Sequence, residues 1–313
     1  MKNLIKSSLA ILLLALSPTA FSEEPVVRPK ITGIAYYATF VSNLEKARRF
    51  YQEFLGYEEA FHLTKPDGSV SKAVLKVNDN QFIVLVNEPG RGEGLQDHYA
   101  IATSSAEQMR LYLASRAVKV PEQTGKDEFG NNMIEVTDPD DNRVRFVEYL
   151  SDSLTGATRG KFLPATRISD QLMHVGILVG NLDAANAFYG EILGCKETWR
   201  GNGPDSKTLN WVNMRLHNGS NHVEYMLKKD FPPPNERGGP QHFCLAVHDI
   251  PKALADLESR PGRKVYPREL KIHHGVDNKL QVSVRDPNGT RIEVMAFEPV
   301  DGKPAPSSTL PPP

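Results

Sequence analysis

The chain has 313 residues, and its 37 lysine and arginine residues nearly balance its 38 aspartate and glutamate residues. This balance, with no basic run, gives no electrostatic footprint for nucleic acid. The length suits two domains of ordinary size, so we expect a two-domain protein whose partner is a small-molecule substrate.

The N-terminus has the pattern of a secretory signal peptide. Lys2 and Lys6 precede an apolar run at residues 9–16, which is too short to span a bilayer, and small residues up to Ser22 suit a cleavage site. We therefore predict a signal peptide over residues 1–22 and a secreted or periplasmic protein without a membrane segment after cleavage. A retained N-terminal anchor is the alternative.

The chain contains two cysteines, Cys195 and Cys244, too few for a disulfide framework. Both lie in apolar segments, which favours buried thiols over a bridge between them.

A self-comparison with a shift of 138 residues reveals an internal repeat. Residues 41–59 (VSNLEKARRFYQEFLGYEE) and 179–197 (VGNLDAANAFYGEILGCKE) are identical at ten of nineteen positions. The chain therefore consists of two related halves.

Each half begins with an apolar strand followed by a helix. The first strands are predicted at residues 34–41 and 174–179; the helices begin at Asn43 and Asn181 as N-caps and end at Gly56 and Gly194. Segments with period-two alternation follow and predict half-buried strands, at residues 73–77, 82–86, 209–216 and 222–227. A weaker second unit then repeats the order, with strands at 98–103 and 242–247, helices at 106–115 and 250–259, and strands divided by Asp-Pro turns at 138–139 and 286–289.

This order predicts an α+β fold of four βαβββ units. We expect two domains, residues 30–150 and 168–298, each of paired units that form a cupped mixed β-sheet. A Ser-, Thr- and Gly-containing linker is predicted at residues 151–167, and the proline-rich composition of residues 299–313 predicts a disordered tail.

Four candidate metal ligands occupy equivalent positions in the C-terminal half. His174 and His242 open the first strands of the third and fourth units, and Glu224 and Glu293 lie on the last strands of the same units. The spacings of 50 residues (174 to 224) and 51 residues (242 to 293) are nearly equal. Two units related by a pseudo-twofold axis would bring the four side chains to one point.

Two imidazoles and two carboxylates suit one divalent ion of Fe, Mn, Zn, Ni or Co, and octahedral coordination leaves two positions for water or a bidentate substrate. The N-terminal half serves as an internal comparison, because the same alignment gives Tyr36, a residue near Ile83, His98 and Arg145. An arginine in place of a carboxylate repels a cation, so this half is predicted to bind no metal and to act as a scaffold or pocket wall.

The repeat, its NL…A…FY…LG helix and its Asp-Pro turn followed by a glutamate strand resemble the vicinal oxygen chelate superfamily, over nearly the whole mature chain. That superfamily includes glyoxalase I, methylmalonyl-CoA epimerase, extradiol ring-cleaving dioxygenases and bleomycin or fosfomycin resistance proteins. The resemblance implies paired βαβββ units curled around a metal ion.

The His, Glu, His, Glu order is similar to the pattern of bacterial glyoxalase I. That resemblance implies proton transfer next to a carbonyl, by an isomerase or lyase in which Glu224 or Glu293 serves as the base.

The two-domain layout with a degenerate N-terminal half is similar to extradiol dioxygenases. In this alternative His174, His242 and Glu293 bind Fe(II), while His222 and His274 resemble the family's acid or base histidines. Ser283 departs from that pattern, because the family has a tyrosine there, and Tyr266 would have to replace it.

A second alternative is a ligand-sequestering protein like the resistance members, without catalysis. Trp199, Trp211, Tyr225 and the loop at residues 230–239 would then line or cover the cup. His222 and Glu224 are two apart on one predicted strand and face the same side, so the choice between enzyme classes depends on which is nearer the metal.

Overall fold

The computed structural model describes residues 25–91, 96–216, 219–233 and 236–313. The predicted signal peptide lies outside these residues. In the described part of the chain, no helix is both long enough and apolar enough to cross a bilayer.

The N-terminal half forms one eight-stranded mixed sheet with the order β2-β3-β4-β1-β5-β8-β7-β6. Its strands are β1 Ile31–Val41, β2 Glu59–Thr64, β3 Val70–Asn78, β4 Gln81–Asn87, β5 Gln96–Thr103, β6 Gly125–Lys126, β7 Asn132–Thr137 and β8 Arg143–Glu148. The first strand of each unit pairs in parallel with the last strand of that unit, β1 with β4 and β5 with β8. The two units meet through the antiparallel pair β1–β5.

The C-terminal half repeats this topology with the order β10-β11-β12-β9-β13-β16-β15-β14. Its strands are β9 Leu172–Val179, β10 Lys196–Gly201, β11 Trp211–Arg215, β12 His222–Leu227, β13 His242–Val247, β14 Ile272–His274, β15 Leu280–Arg285 and β16 Arg291–Ala296. The predicted four βαβββ units in two cupped mixed sheets are confirmed.

Within the described residues, five α-helices connect or follow the strands: α1 Leu44–Arg49, α2 Ala106–Ser115, α3 Leu154–Ala157, α4 Leu182–Ala185 and α5 Ile250–Ser259. The predicted N-caps are present, since Asn43 and Asn181 side chains accept hydrogen bonds from Lys46 N and Ala184 N, both at 3.0 Å. Short 3₁₀ turns occur at Pro261–Val265 and Val300–Gly302.

The helices α1 and α4 continue into π-helical turns, Phe50–Phe54 and Asn186–Ile192, which the sequence pattern did not predict. Each turn buries a Phe-Tyr pair and ends before Gly56 or Gly194, whose φ angles of +79° and +71° favour glycine.

Two buried tyrosine–aspartate hydrogen bonds join the halves. Tyr51 donates to Asp286 at 3.2 Å, and Tyr189 donates to Asp138 at 2.8 Å. Each helix thus packs against the Asp-Pro turn of the other half, and one hydrophobic core contains residues from both sheets. Burial raises the pKa of Asp138 and of Asp286 to about 6.

The linker and the C-terminal tail both make specific contacts. The linker contains α3, capped by Ser153, and Lys76 donates a hydrogen bond to its Thr158 carbonyl. The tail, for which composition predicted disorder, contacts the edge strand β10 and the segment before β11: Ser308 N donates to Arg200 O at 2.9 Å, and Leu209 N donates to Pro311 O at 2.8 Å. Prolines lack donors but keep their carbonyl acceptors, so a proline-rich segment can cover an exposed strand edge.

Cys195 and Cys244 are both buried free thiols.

Candidate metal centre

The strand register aligns the four predicted ligands in two neighbouring rows on one face of the C-terminal sheet, here called the C-terminal cup. Gly176 of β9 lies opposite both Glu224 of β12 and His242 of β13. In the next row, Cys244 lies opposite both His174 and Glu293. Because side chains alternate between faces, these cross-strand neighbours share the concave face.

The ligand atoms of the four residues converge. His242 Nε2 lies 3.1 Å from His174 Nε2, 3.2 Å from Glu224 Oε2 and 3.6 Å from Glu293 Oε2. His174 Nε2 is also 3.3 Å from Glu293 Oε2. His174, His242 and Glu293 are buried, whereas Glu224 is half-buried. The sequence-predicted quartet is therefore assembled at one point.

The donor set fits a divalent metal ion. Among the described residues, the buried Glu293 Oε2 makes no aligned hydrogen bond, although both histidine Nε2 atoms lie within ion-pair distance, and a buried carboxylate oxygen is stabilised by an accompanying cation. His242 Nδ1 is 3.0 Å from the Pro240 carbonyl, so this nitrogen donates, and Nε2 is the nitrogen that faces the site. Arg291 donates to Glu293 Oε1 and fixes the other carboxylate oxygen toward the histidines.

The electrostatics of the quartet also favour a cation at its centre. Although burial opposes it, the charges of His242 and Arg291 hold the pKa of Glu293 well below its usual range. Burial likewise opposes charge on His242, yet Glu293 and Glu224 raise its pKa to about 9. The two carboxylates thus stabilise positive charge where a metal ion would bind.

His222 lies beside the quartet. Its ring centroid is 4.7 Å from that of His174, and its Nδ1 is 3.3 Å from the Ser220 carbonyl. Burial lowers the pKa of His222 well below its usual value, which favours a neutral imidazole. Of the two candidates on β12, Glu224 contacts His242 directly, and His222 packs beside His174.

The predicted role of His274 is not supported by its position. It lies opposite Leu280, which packs on the hydrophobic core, whereas Gln281 and Ser283 are on the cup face. His274 is therefore on the outer face, exposed, with Nε2 2.6 Å from Asn278 Oδ1. Adjacent side chains on β14 point to opposite faces of the sheet, and the sequence alone does not determine which of two adjacent histidines faces the cup.

Tyr266 does not replace the missing tyrosine at Ser283. Ser283 of β15 lies opposite Glu293 of β16. Tyr266 instead stacks on Phe54 with ring centroids 4.6 Å apart, and its hydroxyl accepts a hydrogen bond from Arg285 N. Its contacts are at the interface between the halves.

Three further polar groups belong to the C-terminal cup; Trp199 was named from the sequence as a cup residue, whereas Asn213 and Gln281 were not. Trp199 and Asn213 lie in the row of Glu224, and Gln281 lies opposite Met295. Trp199 Nε1, Asn213 Oδ1 and Gln281 Oε1 are buried and have no hydrogen-bond partner within the described part of the chain. They are candidates for contacts to a bound substrate, and the strand register is the signal that identifies them.

In the N-terminal half, the positions equivalent to the quartet are occupied by Tyr36, Val84, His98 and Arg145. Ala38 is the equivalent of Gly176 and lies opposite both Val84 and His98. The residue near Ile83 is thus Val84. The Arg145 guanidinium takes the central position and pairs with Glu128 at 3.0 Å and Glu135 at 2.8 Å. The buried Phe129 ring packs edge-on against Tyr36 with centroids 5.9 Å apart.

The sequence matches the model of the glyoxalase/bleomycin resistance protein/dioxygenase superfamily over residues 33–146 and 171–294. No curated protein matches the sequence significantly.

Similar solved structures include two dioxygenases and a glyoxalase. The 2,3-dioxygenase LapB from Pseudomonas sp. KL28 has a TM-score of 0.64 and 14% identity, covering 87% of this chain and 97% of its own. The Mn(II)-bound glyoxalase from Novosphingobium aromaticivorans has a TM-score of 0.64 and 15% identity, covering 88% and 84%. The complex of homoprotocatechuate 2,3-dioxygenase from Brevibacterium fuscum with 3,4-dihydroxyphenylacetate has a TM-score of 0.63 and 17% identity, covering 86% and 82%. At these identities the similarity concerns the fold.

Proposed function

Because the chain belongs to the glyoxalase/bleomycin resistance protein/dioxygenase superfamily, we propose that it is a metal-dependent enzyme of the isomerase or lyase type. In this proposal His174, Glu224, His242 and Glu293 bind one divalent ion. The substrate is a small molecule that chelates through two oxygens, and the reaction is proton transfer at a carbon next to a carbonyl group.

The position of Glu224 is the observation that supports this proposal most. Its Oε2 is 3.2 Å from His242 Nε2, and it completes a set of two nitrogen and two carboxylate donors. A second carboxylate near the reacting atoms supplies a base that the set of two histidines and one carboxylate lacks.

The two glutamates have different surroundings, which assigns them different roles. Glu293 is buried and held by Arg291, so it is the fixed ligand. The Glu224 side chain keeps 14% of its surface exposed, and among the described residues its ion pair is with His242 alone. We therefore assign proton abstraction and return to the Glu224 carboxylate.

A bound divalent ion would stabilise the negative charge that develops on the substrate oxygen. The chain itself contributes three further effects. Trp199 Nε1 and Asn213 Oδ1 are available to orient polar groups of the substrate. The buried walls exclude water, and Arg291 keeps Glu293 ionised and in place.

Proton exchange provides a test that does not require the natural substrate. A panel of 2-hydroxy and 2-oxo carbonyl compounds is incubated in D₂O with protein loaded with Fe, Mn, Zn, Ni or Co, and loss of the carbon-bound proton is followed by NMR. Exchange is expected with the parent and with His222→Ala, and should fall by at least about 100-fold in Glu224→Gln. Exchange that survives in Glu224→Gln but disappears in His222→Ala would contradict the assignment.

An extradiol-type Fe(II) ring-cleaving dioxygenase is the alternative, and the position of His222 beside His174 favours it. The test is oxygen uptake by the Fe(II)-loaded protein with a panel of catechols. Iron-dependent uptake that requires His222 would replace the isomerase proposal with this one.

A further inference from the structure

A cavity separate from the C-terminal cup lies between the two halves and is here called the interface cavity. Its volume is about 490 Å³, within the range of small-molecule sites. One wall comes from α1 and its π-helical turn in the first unit, and the other from residues 262–268 and the Asp-Pro turn of the fourth unit. The metal-ligand quartet does not line it.

The floor of the interface cavity is apolar. Phe54 is fully buried and stacks on Tyr266 with centroids 4.6 Å apart, and only the edges of Phe50 and Tyr266, each 7% exposed, reach the cavity. Val265 also lines the cavity, and its side chain is 72% exposed. Such a surface accommodates the flat apolar body of a ligand.

The rim of the interface cavity is cationic. Lys46 and Arg49, one turn apart on α1, and Arg268 on the opposite wall are all exposed. Within the described ranges, none of the three has an ion pair, whereas the neighbouring Arg48 is paired with Glu45 and Glu59.

The acidic residue of the cavity, Asp286, does not neutralise this rim. Its carboxylate accepts hydrogen bonds from Asn288 N and Thr290 N, both at 2.9 Å, and from the Tyr51 hydroxyl. Its negative charge is thus directed into the turn, and the three rim cations remain available to an anion.

The internal repeat supplies an independent comparison. The shift of 138 residues aligns Lys46 and Arg49 with Ala184 and Ala187, although ten of nineteen surrounding positions are identical. The same alignment places Ile192 at the position of Phe54. The helix therefore forms without these cations, which are specific to the copy that lines the cavity, whereas the fully buried Phe54 differs from Ile192 in core packing.

We propose that the interface cavity binds a small aromatic carboxylate. The ring lies against Val265 and the accessible edges of Phe50 and Tyr266, and the carboxylate lies between Lys46, Arg49 and Arg268. An inorganic anion would leave the exposed Val265 side chain uncovered, and a neutral aromatic compound would leave the cations unpaired. This site is independent of the metal centre.

The test is calorimetric titration of the purified full chain with 2-naphthoate and with its neutral analogue 2-naphthamide. We expect saturable one-to-one binding of 2-naphthoate and much weaker binding of 2-naphthamide. The double variant Lys46→Ala/Arg49→Ala gives α1 the alanines that the other copy of the repeat has at positions 184 and 187. It should weaken 2-naphthoate binding by roughly tenfold. Arg268→Ala tests the opposite wall, and unchanged circular dichroism and melting temperature verify folding of each variant.

Glu293→Ala separates this site from the metal centre, because it removes a ligand of the cup and leaves the interface cavity intact. It should bind 2-naphthoate as the parent does. The proposal is overturned by no saturable binding to the parent, by equal affinity for the amide, or by binding that is unchanged in the folded rim variants. Loss of binding in Glu293→Ala would also overturn it, since the ligand would then be in the cup.

Discussion

Replacing Gly176 by alanine is expected to disable the candidate metal centre from outside the ligand set. A Cβ at this position would lie 2.8 Å from Nε2 of His242 and closer still to Cε1 and Nδ1 of the same ring. The imidazole must rotate away, which breaks its 3.0 Å hydrogen bond to the Pro240 carbonyl and turns Nε2 from His174 and Glu224. Overpacking of this kind costs about 1–3 kcal/mol, and misorienting a ligand lowers metal affinity about 10- to 100-fold.

Elemental analysis after equilibration with a limiting buffered metal concentration measures the affinity, and thermal unfolding with and without metal measures the stability. Gly190→Ala is the matched control, because its Cβ would meet Met214 Cε at an ordinary 3.6 Å. The Gly176→Ala protein should lose most metal-dependent stabilisation while Gly190→Ala retains it. Unchanged metal affinity in a folded Gly176→Ala protein would refute the reasoning.

Three further predictions concern metal retention, pH dependence and export. Glu293→Ala should abolish metal retention, whereas Arg145→Ala should leave metal content unchanged and cost about 2 kcal/mol of stability through its unpaired carboxylates; equal metal content in both variants would contradict the asymmetry between the halves. Burial raises the pKa of Asp286 to about 6 from 3.8, so the folded state binds a proton that the unfolded state releases between these values. Its stabilising contribution is therefore present at low pH and lost as pH rises through 6, by about 2–3 kcal/mol, and Asp286→Asn should flatten this part of a pH series of chemical unfolding. Expression with a secretory system should yield a mature protein that begins at Glu23. An N-terminal sequence that still contains any of residues 1–22 would contradict the predicted cleavage.

The repeat made most of the fold predictable from the sequence. Each copy carries the same N-cap, Phe-Tyr pair and closing glycine, and period-two strands follow in the same order. Equivalent positions could then be compared within one chain, which is how His174, Glu224, His242 and Glu293 were identified before their strands were aligned. Their meeting point follows from two parallel pairings and one antiparallel pairing.

The less predictable features depend on register and on contacts between distant segments. Two adjacent histidines on a three-residue edge strand differ by one position, and a shift of one reverses the face, as His274 illustrates. The order of the tail depends on its contacts with β10 and the segment before β11, about a hundred residues away, which composition does not encode. The unpartnered groups of Trp199 and Asn213 likewise emerge only when β10, β11 and β12 are placed side by side.

Metal stoichiometry in three matched proteins tests the central claim most directly. The parent, His222→Ala and Glu224→Ala are reconstituted with each divalent ion under argon, desalted and analysed for bound metal. If Glu224 is a ligand and His222 flanks the site, the parent and His222→Ala will each retain one equivalent, and Glu224→Ala will retain far less. Retention by Glu224→Ala with loss in His222→Ala would contradict the proposed ligand set.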